Sequence, residues 1–292
     1  MKAPFYVKGK RMRTIQGKEI IEAVKEMCIE ANHRLTPDMR TALEKAKKKE
    51  ESELGKKILG QLEENLVIAE EEQIPICQDT GMAVIFVDIG QEVHVEGGYL
   101  SDMINEGVRR GYEEGYLRKS VVKDPVMERT NTKDNTPAVI HYQIVPGDRM
   151  KITVAPKGFG SENMSRVFML KPADGYEGVK KAVLQAVMEA GPNACPPMVV
   201  GVGIGGTFEK CALLAKQALT RPLEERAELP YLRQMEEELL EEINASGIGP
   251  GGLGGRVTAL AVNILTYPTH IAGMPVAVNI CCHVNRHAVR EL

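Results

Sequence analysis

The stretch Ile74-Pro75-Ile76-Cys77-Gln78-Asp79-Thr80-Gly81-Met82-Ala83-Val84-Ile85-Phe86-Val87-Asp88-Ile89-Gly90 is where the chain changes texture. Its second half is a short apolar run closed by glycine, which suits a buried strand. Its first half sets a cysteine, an amide and a carboxylate in a turn just ahead of that strand. Loops held between rigid elements are where binding and catalysis concentrate. A turn with a buried cysteine and an aspartate bonding its own backbone would look the same, and the stretch alone does not separate the two readings.

Upstream the pattern is helical. Ile20, Ile21, Val24, Met27 and Cys28 form one apolar stripe, which makes Cys28 a core residue. Thr36-Pro37-Asp38 is a helix start, with threonine as cap and proline in the first turn. Ile58, Leu62 and Leu66 carry a further stripe, and the charges of residues 47–53 read as solvated helix surface. Downstream, helices are expected at 100–117, 176–190, 208–219 and 223–244. Strands are expected at 139–145, 150–154 and 198–204, with apolar segments at 257–267 and 275–282. No repeat or clean linker interrupts this. The simplest architecture is mixed α/β: a helical N-terminal layer, residues 1–70, packed on a mixed-sheet core, in one domain spanning 1–292.

Composition narrows the function. A net charge of −3, with 26% charged and 43% hydrophobic residues, favours neither nucleic acid nor an anionic membrane as partner. Residues 1–13 are basic without a signal peptide's apolar core, and no apolar run reaches the roughly 18 residues of a spanning helix, so a cytoplasmic protein is expected. The six cysteines form no CxxC pair, which argues against a zinc ribbon. Each is by default a small buried hydrophobe.

Three more segments could carry chemistry. Asn193-Ala194-Cys195-Pro196-Pro197 places proline after cysteine, as at some iron–sulfur ligand positions. In the stretch Asn279 to His287, Cys281 and Cys282 are adjacent, so in a strand they point to opposite faces and at most one faces a shared site. Gly201-Val202-Gly203-Ile204-Gly205-Gly206 fits a dinucleotide fingerprint, but the acidic residue expected about 20 positions later is missing. Anion contact by the loop amides, or tight packing, are the alternatives.

Taken together, the motifs resemble those of the alpha subunit, or N-terminal domain, of class I iron–sulfur fumarate hydratases and the related L(+)-tartrate dehydratases. The likeness rests on Cys77-Gln-Asp-Thr-Gly81, Arg118-Lys-Ser120, Asn131-Thr-Lys-Asp-Asn-Thr-Pro137, Gly158-Phe-Gly-Ser-Glu-Asn163, Cys195-Pro-Pro197, the Gly201 and Gly247 loops, and His270 with Cys282 twelve residues later. It covers essentially the whole chain. The resemblance implies a [4Fe–4S] cluster on Cys77, Cys195 and Cys282. It implies substrate contact by Gln78, Arg118 and the loop around Gly160, with Asp79 and His270 in proton transfer or hydrogen bonding. The implied reaction is reversible hydration of fumarate to (S)-malate, with tartrate dehydration to oxaloacetate as the alternative. Single-chain members continue into a second domain, so a separate beta subunit, in an α2β2 assembly, is also implied. An electron carrier or sensor would instead use a fourth ligand such as Cys281 or Cys211.

Overall fold

The computed structural model describes residues 6–7 and 10–292, with side chains from Met12 onward. In chain order the elements are β1 (Tyr6–Val7), β2 (Lys10–Arg11), β3 (Arg13–Gln16), α1 (Gly17–His33), α2 (Pro37–Lys49), α3 (Glu53–Glu72), β4 (Met82–Gly90) and β5 (Val93–Glu96). They continue as α4 (Leu100–Glu114), β6 (Val139–Val145), β7 (Met150–Lys157), α5 (Phe159–Glu162), β8 (Arg166–Leu170) and α6 (Gly175–Ala190). The last are β9 (Met198–Gly205), α7 (Phe208–Ala218), α8 (Pro230–Asn244), β10 (Ala259–Tyr267), β11 (Met274–Cys281) and β12 (Ala288–Glu291). The chain divides into two compact units, each built from separated segments.

The first unit comprises the residues up to Arg34, Ile68–Lys157 and Arg286–Leu292. Its four-stranded sheet runs β12-β7-β4-β6, with β4 antiparallel to β7 and parallel to β6. Five successive residues of β4, from Ala83 to Val87, are buried, as in a strand covered on both faces. Helices α1 and α4 pack closely because α4 carries glycines at the contact. A Cβ on Gly107 would stand 2.7 Å from that of Val24, and one on Gly111 2.7 Å from that of Cys28. Cys28 is fully buried there. Residues 14–16 are not helical as expected; they lie in β3, which pairs with β5 in parallel. Only Ile15 of that strand faces inward, too little to show as a pattern.

The second unit comprises Leu35–Val67 and Gly158–Asn285. Its sheet runs β10-β9-β11-β8, with β10 and β9 parallel and the remaining pairs antiparallel. Both sheets are therefore mixed, and the expected α/β class is what the chain has. Of the helices of residues 1–70, α1 belongs to the first unit and α2 to the second. Thr36 does precede α2, with Pro37 at its first position, but its hydroxyl makes no cap bond. Helix α8 starts at Pro230, not 223, because the backbone at Leu223 turns to bond the Asp38 carboxylate at 2.9 Å.

The Gly201 motif serves helix packing. A Cβ on Gly203 would fall 2.0 Å from the Cys211 carbonyl oxygen, and one on Gly201 2.2 Å from that of Ala215. Helix α7 thus lies directly on the backbone of β9, with Cys211 fully buried in the contact. No described helix is long and apolar enough to cross a membrane.

Candidate active site

In the first unit, the turn at residues 77–81 follows α3 and feeds β4. Its backbone is tied down from several sides. The Ile76 N–H donates to the Asn32 carbonyl at 2.9 Å, and the Gly81 N–H donates to Asp79 Oδ1 at 3.1 Å. The buried Tyr112 hydroxyl donates to the carbonyls of Thr80 (2.8 Å) and Gly81 (3.0 Å), and burial pushes its pKa up, so it stays a donor. Gly81 has φ +76°, and a Cβ there would stand 2.7 to 2.8 Å from the Lys157 backbone, so the position requires glycine.

The same turn sets the Arg118 segment. Buried Thr80 donates from Oγ1 to the Arg118 carbonyl at 3.1 Å. Asn135, fully buried, donates to the Gly81 carbonyl at 3.1 Å and accepts the Ser120 N–H at 2.7 Å. Asn131 fixes the neighbouring Lys119 carbonyl at 2.9 Å. Cys77 and Asp79 are half-buried, while Gln78 and Arg118 are exposed. The Cys77 thiol donates to Gln78 Oε1 at 3.4 Å. A thiol, an amide, a carboxylate and the Arg118 main chain are thus brought together on one rigid frame. Its supports Tyr112 and Asn135 were not assigned a role from sequence. Asn135 lay inside a quoted motif, but Tyr112 read merely as part of an apolar helix face.

In the second unit, Cys195 follows a short turn, Gly191–Ala194, and is itself left-handed at φ 51°. This conformation and the prolines behind it leave the residue exposed. The Cys195 carbonyl accepts the His283 N–H at 3.4 Å and lies 3.0 Å from His283 Nδ1, so Cys195 and the neighbouring Cys282 stand side by side. Of the adjacent pair, Cys281 is buried and Cys282 is half-buried. Gly160, in α5, lies beside this turn; a Cβ on it would be 4.0 Å from the Asn193 carbonyl. The glycine loop supports the turn from below: Gly251 N–H bonds the Pro196 carbonyl at 2.9 Å, and Gly252 leaves no room for a side chain against Pro192.

His270 lies elsewhere. It sits exposed in the turn between β10 and β11, accepting the Ala272 N–H at 3.1 Å. Cys281 pairs with Val199 at the start of β9, whereas Val276 pairs with Ile204 near its end. The unit's sheet therefore puts His270 and the Cys195–Cys282 pair at opposite ends of β11, about 25 Å apart at roughly 3.3 Å per residue.

The cysteines sort into two classes. Cys28, Cys211 and Cys281 are buried; Cys77, Cys195 and Cys282 are not. Burial pushes the Cys28 thiol up to about 12 and raises that of Cys211, so neither offers a thiolate near neutrality. The thiols left accessible are Cys77 in the first unit, and Cys195 and Cys282 in the second. Among the described residues, no three His, Cys, Asp or Glu side chains are grouped to hold a single metal ion.

The Cys77 thiol, the Asp79 carboxylate and the Arg118 main chain share one frame on a mixed α/β scaffold, and the likeness to known proteins gives the class as hydro-lyases. The chain belongs to the fumarate hydratase (Fumerase) family, whose match covers residues 21–291 and so runs through both units. A Methanocaldococcus jannaschii protein provisionally named L(+)-tartrate dehydratase subunit alpha is 43% identical over 278 residues, covering 94% of this chain and 98% of its own. The L(+)-tartrate dehydratase subunit alpha of Escherichia coli K12 is 32% identical over 270 residues, covering 92% and 89% respectively. A Shigella sonnei protein of the same name matches equally well.

Proposed function

We propose that the chain is the alpha subunit of a [4Fe–4S] hydro-lyase acting on a small dicarboxylate, fumarate in exchange with (S)-malate, in the cytoplasm. The observation that carries this reading is the sorting of the thiols, with the accessible three at the three motif positions and the other three buried. Cys77, Cys195 and Cys282 would hold the cluster, in one fumarase-type domain that takes in both units. When bound, such a cluster keeps one iron open as a Lewis acid for a departing hydroxyl.

The remaining work falls to this chain's side chains. The Arg118 guanidinium, on a segment pinned by Thr80 and Asn135, clamps a substrate carboxylate through paired N–H donors. The Gln78 amide orients the substrate, and Gly160 lines the second carboxylate's side. Asp79 takes up the carbon-bound proton, its carboxylate held in register by the Gly81 N–H. His270 rests on the resemblance alone, since its own unit places it away from the paired cysteines. The names of the relatives support a separate beta subunit as partner, in an α2β2 assembly.

A second reading, L(+)-tartrate to oxaloacetate, is supported by those same names. Anaerobic reconstitution with the candidate beta subunit, followed by assays on fumarate and L(+)-tartrate, decides between them. Serine at Cys77, Cys195 or Cys282 is expected to abolish both the cluster's visible absorption and turnover, and serine at Cys281 to leave both intact. Full cluster loading of the Cys195→Ser chain would sink the ligand assignment.

A further inference from the structure

We propose that Arg286 is a positioning residue for the turn at residues 77–81, holding its main chain in place and supplying it with a buried positive charge. The inference rests on the proposed function for its chemical meaning, though not for its geometry.

Arg286 follows the second unit's last strand and returns the chain to the first unit, where it is 4% exposed. Its Nε donates to the Pro156 carbonyl at 3.2 Å, at the end of β7, and its Nη2 donates to the Asp79 carbonyl. One planar fork therefore joins the sheet to the middle of the turn. The third nitrogen, Nη1, is buried with no hydrogen-bond partner. Among the described residues no carboxylate forms an ion pair with it.

This is a costly arrangement. Burying an ionised group without a paired carboxylate is unfavourable, and a buried polar atom without a partner is uncommon in folded proteins. The turn's carbonyls could be satisfied without charge, as Tyr112 and Asn135 do for Thr80 and Gly81. What a neutral donor cannot provide is a fixed positive potential under a turn that presents a thiol and a carboxylate. In the proposed reaction that turn would also face a dianionic substrate. Arg286 acts through Asp79 and Cys77, not by touching the substrate, which its burial precludes.

The test uses the full chain with Arg286→Lys, which keeps the charge but loses the fork, and Arg286→Met, which loses both. Amide hydrogen exchange is measured on the unloaded chain, where neither cluster nor substrate is needed. Both variants are expected to speed exchange at residues 78–81 by about tenfold or more while amides of β4 stay within about twofold. After anaerobic loading and addition of the beta subunit, kcat is expected to fall at least about tenfold with KM within about threefold, and lysine to retain more of kcat than methionine. Unchanged exchange at 78–81, or acceleration that extends equally through β4, would overturn the positioning role. Equal kcat for the two variants would overturn the role of the charge. If the exchange result holds and no hydro-lyase activity is found for any form, it is the proposed function that fails.

Discussion

A cysteine's fate in this chain is decided by what surrounds it. Cys28 lies against Gly111 with no solvent, its thiol pushed up to about 12, whereas Cys195 is held outward by a left-handed backbone. A thiol reagent applied to the unloaded native chain is therefore expected to modify Cys77, Cys195 and Cys282 quickly. Mass spectrometry should find Cys28, Cys211 and Cys281 modified only after denaturation. Early labelling of Cys211 would mean that α7 does not lie on β9 as described. Asp79 offers a cleaner test of chemistry. Asparagine keeps an Oδ1 acceptor for the Gly81 N–H, so the turn survives while the proton acceptor is lost. Asp79→Asn should lower kcat by about 10²- to 10⁴-fold with an unchanged melting temperature. A variant with normal turnover would remove Asp79 from the acid–base role.

Elements here are shaped by glycine as much as by apolar periodicity. The motif at Gly201 had the spacing of a dinucleotide fingerprint, and its first two glycines admit the carbonyls of Cys211 and Ala215 where a side chain would stand. Gly203→Ala is expected to push α7 off β9 and cost about 1 to 3 kcal/mol in urea unfolding. Gly247→Ala meets nothing within 4 Å and carries only the strain of φ +76°, about 1 to 2 kcal/mol. Equal losses at the two sites would show that backbone strain, not helix contact, governs both. The long amphipathic helices and the apolar strands were legible in the sequence because a single face repeats through each. The β3–β5 pair was not, since four residues with one inward side chain carry no period. The start of α8 was missed because a distant carboxylate, that of Asp38, captures the backbone at Leu223.

Across the whole molecule, what the sequence could not display is which distant segments meet. The motif at 77–81 was legible as a candidate site, but its supports Tyr112, Asn135 and Arg286 come from three separate places in the chain. Glu50 is a similar case, read as surface charge and found 2% exposed. Burial alone would raise its pKa, but the N–H groups of Arg256, Val257, Ser52 and Glu51 outweigh it and hold the carboxylate below its usual range. A group depressed in this way stabilises the fold fully above its unfolded pKa of about 4.3, and the contribution fades as pH falls through the lower folded value. Glu50→Gln should therefore cost about 1 to 3 kcal/mol at neutral pH, with the gap to the native chain closing in acid. A gap that widened toward low pH would contradict this account.

Both units are assembled from pieces far apart in sequence, and this bears on how the protein is made. The first unit's sheet lacks β12 until residue 291 has been synthesised, and the clamp from Arg286 to Asp79 joins positions 207 residues apart. A ribosome feeding out the chain from its N-terminus releases Cys77 long before the residues that set its surroundings. The turn therefore acquires its final shape only once Arg286 has emerged, and through the synthesis of the intervening 207 positions its thiol belongs to an unfinished fold.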